Sequence, residues 1–99
     1  MNNIKLNNIT CEVYSFNKNT YFNENGFSST GSCNINTNDI NALNELAETS
    51  IDTIQIYHDE ELIYNLQNAN GKIVSIDEYL NDDRMSTTIN MSFSPVVEE

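Results

Sequence analysis

His58 is the only histidine of the chain, and Asp59, Glu60 and Glu61 follow it directly. A histidine beside carboxylates is the raw material of a general base or of a metal site. The residue types fit that chemistry better than their setting does. A general base needs an orienting partner and a pocket, whereas this tetrad interrupts two apolar runs where a tight, hydrated turn belongs. No second histidine supports a metal, and both cysteines lie far off in sequence. The expectation is an exposed turn histidine with no metal bound.

Asp77, Glu78, Asp82 and Asp83 form the densest acidic cluster. A calcium loop requires oxygen ligands at alternating positions around a glycine, and SIDEYLNDDR has neither. Nucleophilic chemistry is equally poorly served. The chain has no G-x-S-x-G elbow, and a Cys11–His58 pair stands without a third, orienting group. Gly26, Gly31 and Gly71 are scattered and make no phosphate loop. The chain therefore reads as a non-enzyme with no cofactor. Cys11 and Cys33 read as small buried hydrophobes of a reducing compartment, a disulfide being the alternative.

Charge carries more information than catalytic residue types do. The net charge is −11 over 99 residues. Residues 1–38 balance Lys5 and Lys18 against Glu12 and Glu24, so the whole excess falls in residues 39–99. Such a surface repels phosphates, which argues against direct nucleic-acid binding. It suits a basic protein partner. Tyr57 and Tyr64 flank the acidic turn at 58–61, and tyrosines are enriched at interfaces because ring and hydroxyl both contribute. The candidate partner-binding set is therefore Tyr57, Asp59, Glu60, Glu61, Tyr64, Asp77, Glu78, Asp82 and Asp83, on one contiguous acidic face.

The elements that must position these residues follow from periodicity. Ile9, Cys11 and Val13 alternate with polar residues, and Tyr14 and Phe16 continue in the opposite phase, which implies a bulge or a strand buried on both faces. A second alternating run covers Phe27, Ser29, Gly31, Cys33 and Ile35. With the Asn-Gly pair at 25–26 between the runs, a first hairpin spans about residues 8–36. Ile40, Leu43, Leu46 and Ala47 recur at helical spacing behind Asn38 or Asp39 as a cap, predicting the main helix, which ends near Thr49 and Ser50. Residues 53–57 and 62–66 form a second hairpin around the acidic turn. After a turn at 68–71 and a strand at 72–74, Ser75 and Glu78 have capping-box spacing and predict a short helical turn through Ile76, Tyr79 and Leu80. Ile89, Met91 and Phe93 give the last strand. The expected fold is α+β: one antiparallel sheet of about five strands, with one face under the main helix.

Ninety-nine residues make a single domain, 1–99. Pro95 marks a tail at 94–99 that leaves the fold. MNNIKLNN lacks the apolar run of a signal peptide, and no stretch approaches a membrane span, so the expected location is the host cytoplasm, or a virion. Eighteen asparagines supply much of the polarity and favour turns. Short, Asn-rich, acidic and without a catalytic signature, the chain has the style of a small phage or mobile-element accessory protein. Two functions follow as expectations. One is an inhibitor that occupies the basic surface of a host nucleic-acid-binding protein, as anti-CRISPR proteins of the DNA-mimic kind do. The other is a structural virion component (tail, head-decoration or connector protein) whose partners are copies of itself.

Overall fold

The structure, a computed structural model, describes residues 1–24, 26–46 and 48–93. Seven strands follow in order: β1 (Asn2–Leu6), β2 (Ile9–Asn23), β3 (Gly26–Ile35), β4 (Ile54–His58), β5 (Glu61–Leu66), β6 (Gly71–Asn81) and β7 (Arg84–Phe93). They pair antiparallel in one sheet of order β5-β4-β1-β2-β3-β7-β6.

The α+β expectation is overturned: the fold is an antiparallel sheet, and the predicted main helix is a 3-10 segment, Thr37–Leu46. The apolar spacing there is three, from Leu43 to Leu46, and a helix with three residues per turn aligns such residues on one face. Leu43 and Leu46 both enter the core. Asn38, Asn41 and Asn44 are weak α-helix formers. At the segment's start, local bonds to Asn36 hold the chain in turn geometry: Asn38 N–H donates to its Oδ1 at 3.0 Å, and Asp39 N–H to its carbonyl at 2.9 Å.

The predicted helical turn at Ser75–Glu78 is also overturned. Both residues lie within β6, where Ser75 faces Asn90 and Glu78 faces Thr87 on β7. Alternation wins because β7, Ile89 to Phe93, offers a buried ladder that a single helical turn cannot match. β1 is a strand that the polar N-terminal sequence hides. Ile4 and Leu6 are fully buried, and β1 pairs with both β2 and β4.

Both predicted hairpins form, and β2 carries a bulge: Val13 pairs with Ile35 and Ser15 with Asn34, leaving Tyr14 as the extra residue. The sheet curls far enough for Ile51, just before β4, to bridge Gly71 at the start of β6. The two backbone bonds measure 2.7 and 2.9 Å. Asn7 staples the same region. Its Oδ1 accepts the N–H groups of Asp52 (2.8 Å) and Thr53 (3.2 Å), and its Nδ2 donates to Ser50 O (2.9 Å).

The core fills the concave side with Ile4, Leu6, Cys11, Cys33, Ile35, Ile54, Ile89 and Met91, closed by Leu43 and Leu46. Phe93 lies against two glycines: a Cβ at Gly71 would stand 2.8 Å from its ring, and one at Gly31 3.0 Å. Outward positions alternate strictly. On β3 they are Ser28, Thr30, Ser32 and Asn34, and on β7 Ser86, Thr88, Asn90 and Ser92. The tail expectation at 94–99 lies outside the described residues.

Candidate functional site

The β4–β5 turn is built from Asp59 and Glu60, with φ of 47° and 76°. Such a two-residue turn matches the twist of antiparallel strands but favours Asn-Gly, because both residues occupy left-handed conformations. The β6–β7 turn likewise places Asp82 at φ 57°. Elsewhere the non-glycine left-handed positions are Asn7, Asn68 and Asn70, among the described residues. Acidic residues thus hold the left-handed positions of these two turns, and Glu60 is the strained one.

Asp59 Oδ1 accepts the Met1 ammonium at 2.7 Å, which, with the nearby His58, holds its carboxyl below the usual carboxylate range. His58 Nδ1 lies 2.6 Å from Asn2 Oδ1, with the ring exposed to solvent. Cys11 lies in the core, where burial, chiefly, and Asp39 push its thiol up to about 11; burial and the nearby Cys11 push Cys33 up to about 12. Both are free thiols. Among the described residues, no three His, Cys, Asp or Glu side chains come together as a metal site.

The outer surface runs from the acidic turn across β1 to β2. Asn3, Lys5, Thr10, Tyr57 and Glu60 line one shallow depression, and Met1, Asn2, Glu12, Val13 and Tyr14 line the next. Tyr14, thrown out by the bulge, is half exposed. Its phenol is pushed up, first by its hydrogen bond to the Glu12 carboxylate, with Asp39 adding and Arg84 opposing. The Arg84 guanidinium lies 5.9 Å from the Tyr14 ring centroid, which brings the Asp82–Asp83 turn alongside. Asp39 closes the set: its Oδ2 accepts the Glu12 N–H at 3.0 Å. Two strand spacings, about 10 Å, separate β4 from β2. That slightly exceeds the roughly 8 Å Debye length at physiological salt, so these carboxylates reinforce one another chiefly at low ionic strength.

The predicted residues therefore divide. Tyr57, Asp59 and Glu60 lie on or beside this surface, Glu61 pairs with His58 and so faces away from Tyr57, and Asp82 and Asp83 adjoin the surface through Arg84. Tyr64 does not, because Ile63 is a bulge residue on β5: Ile56 pairs with Tyr64 and Tyr57 with Leu62. The two tyrosines consequently face opposite sides. Tyr64 packs on Phe16 with ring centroids 5.6 Å apart. Asp77 and Glu78 also point to opposite faces of β6, and Asp77 Oδ2 accepts Asn90 Nδ2 at 2.9 Å.

The single acidic face expected over residues 39–99 is likewise not what the fold builds. Glu45 lies with Asn7 and Asn8, at the opposite end of β1 from Met1, and Glu48 lines a separate depression with Asn70 and Lys72. Glu12 and Tyr14 are the residues that sequence reasoning missed. Glu12 belongs to the neutral third, and only the phase change at Tyr14 hinted at its exposure. No protein-family model matches the chain, and neither does any curated protein or solved structure.

Proposed function

We propose that this protein is a non-enzymatic binding module whose acidic surface around Tyr14 docks on a basic protein surface of the kind that binds nucleic acid. In its fullest form this is the DNA-mimic inhibitor of a phage or mobile element, acting in the host cytoplasm. The observation that carries the reading is the conformation of the two turns. Asp59, Glu60 and Asp82 occupy left-handed positions; aspartate tolerates that conformation as asparagine does, whereas Glu60 stands where glycine is preferred, at roughly 1–2 kcal/mol for an ordinary L-residue. Strain retained at an exposed site is a pointer to function, and what it retains here is carboxylate. Glu12 and Asp39 add to that charge. Lys5, Arg84 and the Met1 ammonium offset part of it and give the surface a pattern. Tyr14 and Tyr57 supply rigid contact area.

The rival reading, a self-assembling virion component, asks for a sheet edge open to another copy. Both outer strands carry a bulge, at Ile63 on β5 and Val74 on β6. Bulges blunt edges against pairing. The inhibitor reading is accordingly preferred.

The test captures partners from host lysate on immobilised protein and elutes them with duplex DNA. The expected partner is a nucleic-acid-binding protein that DNA displaces and whose own DNA binding this chain inhibits. A partner that binds DNA and this chain simultaneously would refute the mimicry. Rings or lattices formed by the purified chain alone would favour the virion reading.

A further inference from the structure

The convex face of β2, β3 and β7 beyond Tyr14 and Arg84, where the acidic surface ends, has an unusual make-up. A solvated sheet face ordinarily mixes in long charged side chains, at about a quarter to a third of the surface. Here every outward residue of β3 from Ser28 to Asn34, and of β7 from Ser86 to Ser92, is Ser, Thr or Asn. Ser15, Asn17 and Asn19 continue the pattern on β2. The bordering charges are Lys72 and Asp77 on β6, Arg84 at the start of β7 and Glu12 on β2, two of each sign. In a chain of net charge −11 this face is neutral.

Its side chains are also held in place. Asn17 accepts from the Ser32 hydroxyl. Asn90 Nδ2 donates to Ser75 Oγ at 3.0 Å as well as to Asp77. Asn34 Nδ2 donates to the Tyr79 hydroxyl at 3.1 Å, with Thr88 Oγ1 3.4 Å from the same oxygen. Tyr79 is 41% exposed, so a ring fixed by its hydroxyl still offers surface to a ligand.

From these observations we infer that this face binds a neutral oligosaccharide. A polyanion such as nucleic acid would need more cations than the bordering Lys72 and Arg84, each matched by a nearby carboxylate, supply. A hydrophobic partner would need continuous apolar area, whereas the exposed rings of Tyr21 and Tyr79 stand at opposite ends of the face. A polyhydroxylated chain needs what is present: short donors and acceptors on a regular grid, about 4.8 Å between strands and about 6.8 Å along them. Short side chains lose little rotamer entropy on binding, and their mutual hydrogen bonds fix them beforehand. Tyr79 supplies the apolar ring on which the C–H face of a pyranose stacks. Exposed strand faces of small β-proteins serve oligosaccharides elsewhere.

The test titrates cellohexaose, maltohexaose and chitohexaose into isotopically labelled protein and follows amide shifts. At least one sugar should move amides of β3 and β7, with an affinity that is the same at low and high salt. Tyr79→Ala should weaken binding about tenfold. Ser32→Lys, which projects a long cation over the face without touching the core, should weaken it similarly and decides the matter if Tyr79→Ala fails to fold. A variant neutralised at Asp59, Glu60 and Glu61 should bind sugar as the native chain does, which separates this site from the acidic one. Silence with all three sugars at millimolar concentration would overturn the inference. So would sugar-free self-association that Ser32→Lys abolishes, since the face would then be a contact between copies.

Discussion

Glu60 is the residue where strain and charge meet. Its φ of 76° is unfavourable for an L-residue. Glu60→Gly should relieve about 1–2 kcal/mol of that strain and give back about 0.5–1 in chain entropy. The urea midpoint should rise with an unchanged slope, a net gain of about 0.5–1 kcal/mol. A lower midpoint would show that the turn is not strained. Gly71 behaves in the opposite sense. A methyl there meets the Phe93 ring at 2.8 Å, so Gly71→Ala should cost about 1–3 kcal/mol by overpacking. The thiols make a pH prediction. Their folded pKa values, about 11 for Cys11 and about 12 for Cys33, stand above the ordinary value near 8.5. The folded state thus binds these protons more tightly. Its stability from this source is complete below about pH 8.5 and declines as pH rises towards 11. Native protein at pH 8 should leave a thiol reagent nearly unreacted, and unfolded protein should consume it fully.

At the scale of elements, the bulge in β5 assigns Tyr57 and Tyr64 to opposite faces. Tyr64→Ala should therefore cost stability, about 2–4 kcal/mol for a half-buried aromatic, and leave partner binding intact. Tyr57→Ala should weaken the partner and leave the urea midpoint nearly unchanged. Equal effects on both quantities from both variants would contradict the bulge. The hairpins were legible because Asn-Gly at 25–26 and the polar tetrad at 58–61 separate alternating runs. β1 was not, since Ile4 and Leu6 alone give two beats of a period and its second partner, β4, lies some fifty residues on. Ser75 and Glu78 satisfy a capping-box spacing and a strand pattern equally well. Only pairing with β7 decides between them, and pairing is non-local. The 3-10 segment was misread for a related reason, since apolar spacings of three and four overlap over ten residues.

Across the whole molecule, the charge asymmetry seen in sequence is real but is redistributed by the fold. The late carboxylates part company, some towards Tyr14 and others towards the far end of β1, while Glu12 crosses over from the neutral third. The amount of charge was therefore legible in the sequence and its placement was not, because charge is a sum and a surface is an arrangement. The most direct measurement compares salt dependence in two variants that lose equal charge. One removes Asp59, Glu60 and Asp82 as amides, and the other removes Glu45, Glu48 and Asp52. Affinity of the native chain for its basic partner should fall at least tenfold between about 50 and about 200 mM salt. The first variant should flatten that slope markedly and the second should leave it as it was. Equal slopes in the two variants would mean that net charge alone, and not the surface around Tyr14, recognises the partner.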